Sequence, residues 1–184
     1  AYAGHAELKN SWDVDGDGVY EWQEDDRLYA TKPSINDIKA IQYIYGMTPE
    51  YNHGDTEYIY EGPVYDTIYD TGGIDTIDLS SYTLNITLNL NGGTVSYIGT
   101  NELWITKPSA VGSSDSYWGS SGFPISISEN TIIENAILGD GDDTITCNLA
   151  VNSITCNLGN DTVYNIDTGD TIYGGGGNDI FALS

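Results

Sequence analysis

Cations are what this sequence lacks. Lys and Arg together number 5 against 28 Asp and Glu, a formal charge of −23 at pH 7 over 184 residues. So little positive charge excludes sequence-independent attraction to DNA, RNA or anionic lipid, and it makes a cation the natural partner. Long apolar runs are missing as well. No stretch approaches the roughly 18 residues of a spanning helix, so no membrane insertion is expected. The start, AYAGHAELKN, has neither the basic opening nor the apolar core of a signal peptide. Cysteine is scarce: Cys147 and Cys156 are too few for a disulfide scaffold and have no His or Cys company for a zinc site. What is present speaks against a disordered acidic tail, because 39% of the residues are hydrophobic and 15 are Tyr. The chain is expected to fold once its charge is neutralised.

Three zones follow one another. Residues 1–50 read as a helical segment, most clearly in PSINDIKAIQYIYG, where Ser34 caps, Asp37 sits three residues on and Gly46 closes. The stripe Ile35, Ile38, Ile41 and Ile44 is expected to be core packing. Residues 51–184 form the second unit. There the apolar period shortens to two, as in Ile86, Leu88 and Leu90 of NITLNLNGG, which predicts a strand ending in a glycine turn. Within it, residues 99–122 read as a Ser/Gly-rich insertion carrying Trp104, Tyr117 and Trp118, either a packed lid or a ligand contact.

The abundant glycines and acids resolve into a repeat. Residues 138–182 divide into LGDGDDTIT, CNLAVNSIT, CNLGNDTVY, NIDTGDTIY and GGGGNDIFA. The sixth place holds Asp143, Asn152, Asp161, Asp170 and Asp179, and the eighth holds Ile145, Ile154, Val163, Ile172 and Phe181. This is the calcium-binding nonapeptide of a parallel β-roll. Glycines allow a tight turn with inward carbonyls, the aspartate completes a hard oxygen cage, and the eighth residue enters the core. Acidic turns stacked without metal repel, so binding and folding are expected to be coupled.

A roll spends two nonapeptides on a full turn, so blocks 18 residues apart share an edge. One edge collects Gly139, Gly141 and Asp143, then Asn157, Gly159 and Asp161, then Gly175, Gly177 and Asp179. Two ions are expected there, with Asp161 shared. The other edge, with Asn152 and Asp170, has Ala150 and Thr168 where the tight turn wants glycine, so Asp170, like Asp75 and Asp78 earlier in the chain, is a weaker metal candidate. Cys147 and Cys156 are expected to be buried free thiols, the first inward with Ile145 and Leu149, the second with Ile154 and Leu158.

A separate calcium signal precedes the helix. In DVDGDGVYEWQE, Asp13, Asp15 and Asp17 stand at positions 1, 3 and 5, Gly18 at 6, the Val19 carbonyl at 7, Glu21 at 9 and Glu24 at 12, the spacing of an EF-hand loop. Short flanking helices are expected at about residues 5–12 and 23–30. With the roll, this brings the calcium expected to about three or more ions.

From Pro33 onward the chain resembles the C-terminal region of serralysin-type secreted metallopeptidases. INDIKAIQYIYG is similar to the last helix of their catalytic domain, TGGIDTIDLSSYTLNITLNLNGG to the opening of their roll, and TIIENAILGDGDDTI to the entry into its repeats. The resemblance implies a mostly β fold, a right-handed parallel β-roll, that binds calcium and serves folding and export by a type I secretion system. The zinc chemistry of that family needs H-E-x-x-H, a third histidine and a methionine turn. Here only His5, His53 and Met47 are available, and neither histidine lies in such a motif.

The expected function is therefore a non-catalytic calcium-binding domain, secreted and extracellular, supporting an attached upstream catalytic domain. The alternative is a calcium-dependent carbohydrate-binding module, in which Trp104, Tyr117 and Trp118 stack on a polysaccharide.

Overall fold

A repeat of nine that spends most of its residues on a glycine turn leaves about three for each strand. The computed structural model describes residues 11–12, 21–22, 33–46, 50–62, 64–105 and 118–184. In chain order these form β1 (Ser11–Trp12), β2 (Glu21–Trp22), α1 (Ile35–Tyr45), β3 (Glu57–Ile59), β4 (Asp66–Ile68), β5 (Thr76–Asp78) and β6 (Ile86–Asn89). There follow β7 (Thr94–Ile105), β8 (Trp118–Ile127), β9 (Asn135–Ile137), β10 (Thr144–Thr146), β11 (Ser153–Thr155), β12 (Thr162–Ile166), β13 (Thr171–Tyr173) and β14 (Ile180–Leu183).

From β9 onward the chain alternates strictly between two sheets, one ordered β14-β12-β10-β6-β7-β8-β4 and the other β13-β11-β9-β5-β3. Thr144 lies beside Thr162, Thr162 beside Ile180, and Ser153 beside Thr171, all parallel. Residues 18 apart are thus stacked, as the repeat phase predicts. Both sheets are open, and the fold is a mostly β roll with one short helix.

The core lies between the sheets. Ala136, Ile145, Ile154 and Val163 are buried at intervals of nine, and Leu138, Cys147 and Cys156 are buried two places after the first three. Each three-residue strand therefore sends in one residue from its middle and another from just past its end. Both cysteines are free, and burial pushes their thiols up, to about 11 for Cys147 and about 12 for Cys156. Leu149 and Leu158, expected to point inward beside them, do not: they are 93% and 56% exposed. The strand alternation ends at the cysteine and the chain turns at the next residue, which carries the leucine out onto the turn.

The aromatic insertion is also different from its reading as a loop. Its flanks extend β7 and β8 into a long antiparallel hairpin, with Gly99 opposite Gly122 and Trp104 opposite Gly119. That hairpin is inserted into the larger sheet: β7 pairs with β6 antiparallel, and β8 pairs with β4 parallel. Residues 106–117, including Tyr117, lie outside the described residues, as do the side chains of Trp104 and Trp118.

Helix α1 has the cap that the sequence predicts. Asp37 N–H donates to the Ser34 hydroxyl and Ser34 N–H to the Asp37 carboxylate, and Gly46 ends it at φ 82°. Its isoleucine stripe is not core: Ile35 and Ile38 are half-buried, and Ile41 and Ile44 are exposed. Among the described residues the Lys39–Glu129 ion pair joins it to the roll, both side chains about half exposed. Among the described residues no helix is long and apolar enough to cross a membrane.

The core thins toward the last coil, since Ile172 is half-buried and Phe181 is 49% exposed. Ile145→Ala is expected to cost about 2–5 kcal/mol as a cavity in close packing. Phe181→Ala should cost roughly 1 kcal/mol, in proportion to the smaller apolar area it buries. Denaturant titration at one fixed calcium concentration compares them, and equal losses would contradict a core that fades along the roll.

Candidate metal centre

Three turns stack on one edge of the roll, residues 139–143, 157–161 and 175–179. In the second and third of them the backbone enters the left-handed region, at Asn157 (φ 66°), Gly159 (φ 125°), Gly175 (φ 85°) and Gly177 (φ 132°). Contact between turns is as demanding as the conformation. A Cβ placed on Gly177 would lie 1.7 Å from the Gly159 carbonyl oxygen, so only glycine fits. Gly176 N–H donates to the Asn157 carbonyl at 2.8 Å, and Gly159 N–H donates to the Gly176 carbonyl at 2.9 Å.

Two side-chain ladders run along this edge. At the fifth place of the repeat, Asp142 N–H donates to Asn85 Oδ1, Asn160 N–H to Asp142 Oδ1 at 2.7 Å, and Asn178 N–H to Asn160 Oδ1 at 3.0 Å. At the sixth place, Ile86 N–H donates to Asp143 Oδ1 at 2.7 Å, Asp143 N–H to Asp161 Oδ1 at 2.8 Å, and Asp161 N–H to Asp179 Oδ1 at 3.1 Å. One oxygen of each carboxylate is thereby consumed. The second oxygen of Asp143 accepts from Gly139 N–H at 3.2 Å. The second oxygen of Asp161 is buried and accepts nothing.

The electrostatics match that geometry. Burial pushes the Asp143 carboxyl up to about 7, opposed by the Ile86 N–H and reinforced by the charge of Asp161. Asp161 is raised too, first by burial and then by Asp179 and Asp142 beside it. A buried carboxylate oxygen without a donor costs about 1–3 kcal/mol, and a hard cation relieves both that cost and the repulsion. Among the described residues no three His, Cys, Asp or Glu side chains converge on one point. A cation at this edge must therefore take many of its oxygens from the carbonyls that the glycine turns present, which is the donor set of calcium.

The other edge is built differently. Asp170 Oδ1 accepts from Asn152 N–H at 2.8 Å and its Oδ2 from Asp167 N–H at 2.8 Å, so both its oxygens are occupied. Farther up this edge Asp75 is fully buried: Oδ1 accepts from Thr56 N–H at 2.8 Å, while Oδ2 has no partner. Burial, with the charges of Asp70, Glu134 and Asp55, pushes Asp75 up to about 6. Asp78 spends Oδ1 on a turn, accepting from Ser80 N–H.

Asp70 was not singled out by the sequence, whereas Glu134, 18 residues before Asn152, falls by the repeat phase on this edge and leaves a polar column there. Asp70 is buried, accepting from the Tyr58 hydroxyl at 2.6 Å and Gly72 N–H at 3.0 Å, and Glu134 accepts from Asp75 N–H at 2.8 Å. A signal existed in Gly72-Gly73-Ile74-Asp75, a fragment of the repeat whose Gly73 (φ 133°) abuts the Gly54 carbonyl just as Gly177 abuts Gly159.

Asp13, Asp15, Asp17, Val19 and Glu24 lie outside the described residues, and of Glu21 only the backbone is described. Of the helices expected, 23–30 lies outside the described residues, and of 5–12 only Ser11–Trp12 is described, as a strand and not a helix: Ser11 pairs with Trp22 and Trp12 with Glu21, antiparallel. Two tryptophans in so short a ladder favour extended backbone over helix.

For the metal-free chain the raised carboxyls fix a pH dependence. Unfolded, Asp143 and Asp75 titrate near 3.8; folded, they hold their protons up to about 7 and about 6. Between those values the folded state binds more protons, so stability is greatest at the acid end of that window and is lost as pH rises through it. In chelator the thermal midpoint should be higher at about pH 5 than at about pH 8, whereas with calcium the order should reverse because protons compete for the ligands. Equal midpoints in chelator would contradict the buried, unpaired carboxyls.

Residues 59–120 match the family model of the peptidase M10 serralysin C terminal. Metallopeptidase AprA of Pseudomonas marginalis is 34% identical over 140 residues, which are 68% of this chain and 25% of that protein. A serralysin of Photorhabdus luminescens is 31% identical over 141 residues, and Serralysin G of Dickeya chrysanthemi 32% over 133 residues. The chain spans about a quarter of the length of the curated relatives it matches.

Proposed function

From the likeness of this chain to the C-terminal, non-catalytic part of serralysin-type metallopeptidases, we propose that it is the calcium-binding β-roll region of a secreted bacterial protein. Calcium, abundant outside the cell, folds the roll after export by a type I system, and the folded roll stabilises an attached upstream catalytic domain. The observation that supports this best is the Asp161 carboxylate, buried with one oxygen unpaired at the centre of a three-turn column. Calcium would be held by Asp143, Asp161 and Asp179 together with carbonyls from Gly139, Gly141, Asn157, Gly159, Gly175 and Gly177. It supplies there the positive charge that the sequence lacks. A further ion at the loop of Asp13, Asp15, Asp17, Val19, Glu21 and Glu24 belongs to the same proposal.

Asp161→Asn separates this reading from a merely structural acid. The amide keeps an oxygen for Asp143 N–H but removes the orphaned charge. In chelator the variant should be more stable than the parent by about 1–3 kcal/mol, and with calcium it should be less stable, having lost its response. Asp170→Asn, whose amide nitrogen can no longer accept from Asp167 N–H, should lower stability alike in both conditions and leave the calcium response intact. A variant less stable in chelator and still raised by calcium would sink the proposal. For the N-terminal loop, Glu24→Gln should remove one ion from a calcorimetric calcium titration, and an unchanged count would exclude that site.

A further inference from the structure

The two edges of the roll solve the same turn differently. On the edge facing the carboxylate column, the turn of residues 147–152 contains no glycine and no residue of positive φ. Its side chains close it instead. Asn148 N–H donates to Asn152 Oδ1 at 3.2 Å, and Asn152 Nδ2 returns a bond to Asn148 Oδ1 at 3.0 Å. Asn152 Nδ2 also donates to the Glu134 carbonyl at 3.0 Å. Asn148 Nδ2 reaches the Leu90 carbonyl at 3.2 Å and the Ile133 carbonyl at 2.8 Å, and its Oδ1 accepts from Ala150 N–H at 2.9 Å. Both amides are buried, and every side-chain oxygen and nitrogen in the pair has a partner.

Two neutral amides thus join the turn to the adjacent segments at Leu90, Ile133 and Glu134, while Asp161 at the same height on the opposite edge keeps an unpaired oxygen. We infer that the turn of residues 147–152 is a built-in substitute for a metal site: Asn148 and Asn152 hold this turn closed with or without calcium, whereas the turns of the Asp143–Asp161–Asp179 edge need the ion to close. This rests on the calcium reading above. The consequence is a hinge. On metal loss the column edge opens, while the turn between β10 and β11 stays joined by its amide pair to the segment leading into β9, ready to re-form the roll when calcium returns.

An aspartate at residue 152 could not do this. It has no N–H for the Glu134 carbonyl or for Asn148 Oδ1, so several oxygens would face one another and demand a cation.

Hydrogen exchange on the full 184-residue chain, in calcium and in chelator, tests the inference. The amides of Asn148, Ala150, Asn152 and Ser153 should keep their protection within about tenfold on chelation, whereas those of Asp143, Gly159, Asp161 and Gly176 should lose roughly a hundredfold or more. Loss at both edges together would overturn the hinge and leave the calcium reading standing. No loss at either edge would overturn both. Asn152→Asp should make residues 148–153 chelator-sensitive and add one ion to the calcium count; protection that persists in chelator for this variant, with no added ion, would contradict the role given to the amide pair.

Discussion

Carboxylates stacked at the repeat distance are the constraint on which this molecule depends. Strands 18 residues apart must lie side by side for the core to close, and that register places Asp143, Asp161 and Asp179 in one column. Their spacing is set by the backbone, since each accepts the amide of the coil before it, or in the case of Asp143 the amide of Ile86. Like charges held this close, with little water between, cannot relax by moving apart. They must take up protons or a cation. The core therefore cannot be completed without also completing an anionic column, and this links the apolar eighth position of the repeat to the acidic sixth.

The core itself is too modest to make the column irrelevant. Three-residue strands contribute about two inward residues each, and the alternation between sheets means that every coil depends on its neighbours for burial. At the last coil that support is missing on one side, which is why Phe181 is half exposed while Val163, one full coil earlier, is buried. The hairpin of β7 and β8 works at the other end. Inserted between β4 and β6, it widens the larger sheet and brings Ile98, Ile125 and Ile127 into the same core. The extra apolar contact lies at the Asp143 end of the acidic column, where Ile98 pairs with Ile86, so the roll is firmly packed at that end and its core fades toward Asp179.

Much of this was legible because a nine-residue phase leaves little freedom. Position eight had to be inward, residues 18 apart had to stack, and the thiols at the first position of adjacent blocks had to fall inside opposite sheets. What escaped was decided by partners distant in sequence. Leu149 and Leu158 looked like strand residues, but the strand length is set by where the turn begins, and that depends on the coil above. The isoleucines of α1 have the spacing of a buried face, yet among the described residues little packs on them; amphipathic spacing says that a face exists and not what covers it. The hairpin was hidden because Gly99 and Gly122, which look like loop residues, face each other across a ladder where small residues let two strands approach.

The limit of local sequence is sharpest in the segment Ile-Thr-Cys-Asn-Leu, which occurs twice, at residues 145–149 and 154–158. The five residues are identical, and each copy runs out of a strand of three residues, β10 or β11, with parallel neighbours. Yet Asn157 adopts φ 66° and offers its carbonyl to the next coil, whereas Asn148 stays out of the left-handed region and turns its side chain into the turn. Nothing within the five residues explains the difference. It comes from the residue two places beyond the asparagine: Gly159 takes φ 125°, which alanine tolerates poorly, and Ala150 holds the corresponding place. With glycine the carbonyl of Asn157 can face the neighbouring turn, where it accepts from Gly176 N–H. With alanine that geometry is closed off, the asparagine amide turns inward, and the edge is joined by neutral hydrogen bonds. One methyl group, on Ala150, thus stands where Gly159 takes the left-handed backbone just after the next copy of the same five residues.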